Sequence, residues 1–171
     1  MTSPDSVFLM LPALSTLSLA TKEAARRFAM RTRFKKGEII FRENEGADRF
    51  YIIENGYIDL GYFGPGEDQL IETLGPGEVL GYSWMFEPYR WQSDAKAASD
   101  VEAIFCYATP LRALCENDPQ MGWELTTWCA AILQKRLRHL KVGFAPVRNC
   151  HQEVCSQDPW PWMEGEPVSL Q

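Results

Sequence analysis

Histidine is nearly missing from this chain: only His139 and His151 occur in 171 residues. Neither falls in the β-rich middle, so the inward-facing histidine cluster of a metal-dependent barrel enzyme cannot be assembled there. No Ser-His or Cys-His pair can be built there either, which argues against catalysis. An excess of basic charge is missing too, with 17 Lys+Arg against 23 Asp+Glu and a formal net charge of −6. Such a chain has no diffuse attraction for polyanions, which counts against wholesale nucleic-acid or anionic-membrane binding. No run of eighteen apolar residues exists, and the apolar start at 8–14 follows Asp5 rather than a basic flank. Five cysteines (Cys106, Cys115, Cys129, Cys150, Cys155) make an odd, irregularly spaced set that suits reduced thiols better than a disulfide framework. A cytoplasmic protein without a membrane segment is expected.

What is present is globular: 46% of the residues are apolar and 23% charged. A chain of this length is expected to form one domain that buries roughly 70% of its unfolded surface. After a polar lead, Leu11, Leu14, Leu17 and Leu19 show helical spacing, as do Ala24, Ala25, Phe28 and Ala29. From Arg33 the texture changes. Arg33-Phe34-Lys35-Lys36-Gly37-Glu38-Ile39-Ile40-Phe41 reads as strand, turn, strand. Phe50-Tyr51-Ile52-Ile53 and Tyr57-Ile58-Asp59-Leu60-Gly61-Tyr62 flank the turn Glu54-Asn55-Gly56. Leu70-Ile71-Glu72-Thr73-Leu74 and Val101-Glu102-Ala103-Ile104-Phe105-Cys106-Tyr107 continue the series. Short strands punctuated by glycines predict an antiparallel barrel or roll.

After Pro110 helical spacing returns through Leu111, Leu114 and Cys115 until Asn117-Asp118-Pro119 breaks it. A long helix is predicted from about 119 to 142, with proline in its first turn and a basic end, Lys135 to Lys141. Its apolar stripe includes Leu125, Trp128, Ile132, Leu133 and Leu137, wide enough to face both its own domain and a second subunit. These five are the expected dimer contacts. Gly143 ends the helix, and residues 143–171 form a proline-rich tail.

The stretches Lys35-Lys36-Gly37-Glu38-Ile39-Ile40-Phe41, Glu45-Gly46, Tyr51-Ile52-Ile53-Glu54-Asn55-Gly56 and Leu74-Gly75-Pro76-Gly77-Glu78-Val79-Leu80-Gly81 carry a resemblance. Together with Ser99-Asp100-Val101-Glu102-Ala103-Ile104, they resemble the cyclic nucleotide-binding domain of catabolite-activator-like regulators (the Crp/Fnr type). The resemblance covers about 10–142. It implies a mainly β fold: an antiparallel β-roll of the jelly-roll kind at about 33–107, flanked by N-terminal helices and the long C-terminal helix. Residues 1–9 are then a lead. No DNA-binding segment follows the long helix, so a helix-turn-helix reader is not expected.

The family's ligand cassette starts with Gly-Glu and closes with Arg-Ser/Thr-Ala, the glutamate holding the ribose and the arginine the cyclic phosphate. In this chain Tyr82 follows Gly81, and aligning back from Ser99-Asp100-Val101 puts Trp91 at the arginine position, with Arg90 beside it. This resembles a divergent subgroup in which Gly-Tyr/Trp-Ser-Trp opens the cassette and Tyr-Arg-Trp closes it. Losing two charge-assisted hydrogen bonds, at about 1.5–3 kcal/mol each, weakens a site by roughly 10²–10⁴. Cyclic AMP and cyclic GMP are therefore expected to bind weakly or not at all.

The candidate ligand-binding residues are Gly81, Tyr82, Ser83, Trp84, Arg90, Trp91 and Lys96. Arg90 is read as a pocket cation facing a phosphate-bearing anion, or else as a surface arginine covering an aromatic. Trp84 and Trp91 either stack on a base or belong to the core. Tyr82 and Ser83 serve a ligand or satisfy the roll, and Lys96 meets the anion or pairs with a neighbouring acid. No cofactor is required. The expected partners are a small anionic ligand, a second copy of the chain and a protein effector. Cys150, His151 and Cys155 offer three metal donors where a structural zinc needs four, so no metal is expected. Two functions remain open: a ligand sensor signalling through its long helix, or a ligand-free dimerisation or docking module.

Overall fold

Ser18 opens the first helix by capping it: its Oγ accepts from the Thr21 amide at 3.2 Å. Helix α1 (Leu19–Arg26) buries Thr21, Ala24 and Ala25. The helical spacing that runs on to Ala29 does not persist, because β1 (Ala29–Phe34) already begins there. Ala29 pairs with Cys106, and Phe28 O accepts from the Tyr107 amide at 3.0 Å. Ladder bonds to a distant strand outweigh a weak local helical preference. The computed structural model describes residues 8–66 and 68–143, with side chains as far as 139.

Seven further strands follow: β2 (Ile39–Phe41), β3 (Arg49–Asn55), β4 (Ile58–Tyr62), β5 (Gln69–Leu74), β6 (Val79–Leu80), β7 (Asp94–Ala97) and β8 (Val101–Tyr107). They form two four-stranded antiparallel sheets, in the orders β1-β8-β3-β6 and β2-β7-β4-β5. This is the expected β-roll. The runs at 33–41, 50–53, 57–62, 70–74 and 101–107 all lie in strands or their turns. β6 and β7 carry no run that marks them in the sequence. β7 reads Asp-Ala-Lys-Ala, and it works as a strand because Ala95 and Ala97 are small enough to lie fully buried.

Phe50, Ile52, Ile53, Ile58, Leu74, Leu80, Val101 and Ala103 belong to one buried core cluster, and Phe50 meets Trp128 of the long C-terminal helix with ring centroids 5.3 Å apart. Gly56 shows how closely the turns of the roll pack. With φ of 88°, it lets its backbone pass Asp100, whose carbonyl oxygen would lie 2.2 Å from any Cβ placed there.

Helix α2 (Ala108–Asn117) follows β8 directly, and α3 (Pro119–Gly143) starts at the expected proline. The chain divides into two units, Met1–Gln134 and Lys135–Gln171. Within the first unit, Leu125, Trp128 and Cys129 of α3 pack into the core. Trp128 Nε1 donates to Ala13 O at 2.7 Å. One turn earlier on α3, Glu124 accepts from the Ser18 amide at 3.0 Å and from Thr21 Oγ1 at 2.8 Å. α3 is thereby clipped to the start of α1.

The Ser18 amide, then the Thr21 hydroxyl, hold the Glu124 carboxyl down at about 2 from its ordinary 4.5. A carboxyl lowered on folding stabilises the protein above its ordinary value, and that contribution is lost as pH falls toward about 2. Melting temperatures measured between pH 5 and 2.5 should therefore drop less steeply in Glu124→Gln than in the unsubstituted chain. Parallel slopes would show that the clip is not ionic.

Candidate functional site

The segment from Gly81 to Trp91 lies against the loop at 42–48. Gly81 adopts φ of 96°, and a Cβ there would lie 2.8 Å from the Trp91 ring. A 3₁₀ turn, Tyr82–Met85, follows, then an extended stretch through Phe86. Tyr89 is left-handed, with φ of 54°, a conformation an aromatic residue seldom takes. From there the chain pairs with the 44–47 loop. Ala47 donates to Tyr89 O at 2.7 Å, Trp91 to Glu45 O at 3.0 Å, and Asn44 to Trp91 O at 3.0 Å.

The loop that receives this segment is itself anchored by a carboxylate. Asp94 accepts from the Glu43 amide at 2.8 Å, the Phe63 amide at 2.9 Å and Arg42 Nη1 at 2.9 Å. Burial alone would raise its pKa. The two amides and the guanidinium overcome that, and the carboxyl lies below its usual range. Arg42 Nη1 also donates to Phe63 O. The charge is thus consumed in holding 42–43 and 63 together.

The predicted ligand residues separate into two groups. Trp84 is fully buried and stacks on Phe50, with ring centroids 5.5 Å apart. Trp91 is 4% exposed and stacks on Phe41 at 4.0 Å with an interplanar angle of 11°. Both tryptophans are therefore core side chains, and neither offers an open wall to a base. Ser83 is buried and its carbonyl accepts from the Phe86 amide, while Tyr82 is half-buried. Lys96 is held by Asp68 at 3.1 Å and lies over the Phe63 ring, which matches the paired-charge alternative for it. Arg90 differs from all of these. It is exposed, and its Nη1 donates to Asn44 O at 2.6 Å. No carboxylate pairs with it among the described residues.

Two arginines have no signal in the sequence. Arg49 grips Asp48 through Nε at 2.8 Å and Nη2 at 2.9 Å, and lies over the Phe105 and Tyr107 rings. Arg112 of α2 donates to Trp84 O at 2.6 Å, and its guanidinium lies 4.3 Å from the Tyr89 ring centroid. No local pattern marks Arg112, because one partner is a backbone carbonyl and the other is 23 positions away in the chain. Among the described residues no group of His, Cys, Asp and Glu is placed to hold a metal. Cys150, His151 and Cys155 lie outside them.

A family model described as the cyclic nucleotide-binding domain matches residues 31–118, from the first strand to the second helix. The chain belongs to that family. Among curated relatives, this cyclic nucleotide-binding domain is 30% identical over 115 residues to a CRP-like cAMP-activated global transcriptional regulator of Mycobacterium tuberculosis (strain CDC 1551 / Oshkosh). That match takes in 67% of this chain and 50% of the relative. A cyclic AMP receptor protein of Thermus thermophilus is 25% identical over 129 residues, which are 74% of this chain and 57% of that one. The chain thus spans about half the length of the curated relatives it matches. A solved protein of Geobacter metallireducens GS-15, named for cyclic nucleotide binding, superposes with a TM-score of 0.71 at 26% identity. The superposition covers 80% of this chain and 99% of that one.

The described helices of this cyclic nucleotide-binding domain include none long and apolar enough to cross a membrane. The stretch that the sequence resemblance aligns with the family's cassette, from Gly81 to Ala97, contains the closed segment from Gly81 to Trp91. An indole, rather than a guanidinium, closes that segment onto the roll.

Because Asp94 leaves three donors behind when removed, Asp94→Ala should cost about 2–4 kcal/mol in urea denaturation. A loss below about 0.5 kcal/mol would mean that water replaces the carboxylate without penalty.

Proposed function

We propose that the chain is a regulatory module, without catalytic activity, that responds to a small anionic ligand, phosphate-bearing by preference, at its cassette. The observation that carries this reading is Arg90. It is an exposed guanidinium on the cassette, held by one carbonyl and paired with no carboxylate among the described residues. Its remaining N–H donors suit a phosphate. The family's name supports a nucleotide-like ligand. Tyr82 and Trp91, standing where the family pattern has a glutamate and an arginine, count against cyclic AMP held in the usual way.

A second reading has an observation of its own. Trp91 stacks on Phe41 and covers Gly81, so the cassette is closed by a side chain of the protein itself. On this reading the module binds no ligand and acts by docking to itself or to a protein effector.

A thermal-shift panel of cyclic mononucleotides, cyclic dinucleotides, linear nucleotides and inorganic phosphate separates the two. The sensor reading expects a stabilising anion whose affinity falls about 10–150-fold in Arg90→Ala, the equivalent of one charge-assisted contact. A ligand indifferent to Arg90→Ala removes Arg90 from the site. Silence across the panel leaves the docking reading.

Self-association belongs to the same proposal. Since Leu125 and Trp128 are buried within the domain, the face of α3 open to a second copy is another one. Trp123, 69% exposed, begins it, and Thr126, Ala130 and Leu133 follow at alternating spacings of three and four. Leu137 is exposed, while Ile132 packs partly against the core. Light scattering at tens of micromolar should show a dimer that Trp123→Glu dissociates and Ile132→Val leaves intact. A monomeric unsubstituted chain would refute this part alone.

A further inference from the structure

Arg112 stands where three segments meet, and the cassette between them is held in an unfavourable shape. Tyr89 carries a left-handed backbone, which for a residue with a Cβ costs free energy that its surroundings must offset. Trp84, in the same cassette, is fully buried with its Nε1 donor unpaired, a second cost. Arg112 touches both residues. Its Nη1 donates to Trp84 O at 2.6 Å, and its guanidinium packs 4.3 Å from the Tyr89 ring centroid. The same Nη1 reaches Ala47 O at 3.5 Å, in the loop whose amide donates to Tyr89 O. Nη2 lies 3.4 Å from Thr109 Oγ1, one turn earlier on α2. The base of that helix is tied to the same loop, for the Ala108 amide donates to Asp48 O at 2.8 Å.

We propose that Arg112 is the positioning residue of the cassette: it latches the left-handed Tyr89 turn shut and joins the cassette to α2 as one mechanical unit. Displacing the cassette then requires Arg112 to leave Trp84 O and the Tyr89 ring, so the displacement is felt in the helix after β8. The role needs both halves of the guanidinium, its N–H donor and its flat face. A lysine can supply the donor and cannot stack in the same way. The inference goes beyond the ligand reading and holds whether or not a ligand binds.

Residue-resolved hydrogen exchange by NMR on the full chain tests it. In Arg112→Ala, the amides of Ala47, Tyr89 and Trp91 should exchange at least tenfold faster, while those of Ile52 and Ile104 in the central strands keep their rates. Arg112→Lys should fold and still exchange at least fivefold faster at Tyr89. Combining Arg112→Ala with Tyr89→Gly, which removes both the ring and the backbone cost, should reduce the Arg112→Ala effect at Ala47 and Trp91 at least fivefold. Equal acceleration at Ile52 and Ile104 would show a general stabilising residue and overturn the proposal. So would unchanged rates in the cassette, full protection of Tyr89 in Arg112→Lys, or simple additivity in the combined variant. If Arg112→Ala does not fold, the lysine variant decides alone.

Discussion

Asp94 accepts three hydrogen bonds across the mouth of the roll, and the position of the cassette depends on them. One oxygen takes the Glu43 amide, and the other takes the Phe63 amide together with Arg42. The loop that leaves β2 and the residue that follows β4 are thereby fixed to the first position of β7. Because the loop is fixed, its edge at 44–47 presents the groups that pair with Tyr89 and Trp91. A neutral side chain could satisfy one of these donors, but only a carboxylate accepts from two amides and a guanidinium together. The charge sits in the frame and not in the site.

The same economy shapes the cassette. The segment ends on an indole, Trp91, stacked on Phe41. A guanidinium at such a position must be matched by an anion or left to water. An indole is satisfied by apolar contact. The closed cassette is therefore available without a partner, and the cation that remains, Arg90, is displaced to the surface.

Most of the roll was legible in the sequence because β-branched and aromatic runs mark six of its eight strands, β1 by its last two residues only. β6 and β7 were not, since two residues and an Asp-Ala-Lys-Ala stretch have no period to read. Their strand character comes from neighbours already in place. The cassette was legible as a location and not as a geometry. Sequence placed Arg90 beside Trp91 and Trp84 six positions earlier, but which of them turn inward depends also on the left-handed Tyr89, which has no local signature. Arg112 was invisible for a simpler reason: a backbone carbonyl belongs to every residue, so a side chain that binds one leaves no complementary letter in the chain.

The pairing of β8 has a consequence in time as well as in space. β8 lies between β1 and β3, and Ala29 meets Cys106 more than seventy residues downstream. The β4–β5 hairpin can close as soon as it is made, whereas the first sheet lacks one of its two inner strands until β8 has been synthesised. Loop-closure entropy makes that last insertion slow. During synthesis β1 and β3 must wait as separate open edges, and the nascent chain is most exposed to wrong partners in the interval before Tyr107 leaves the ribosome.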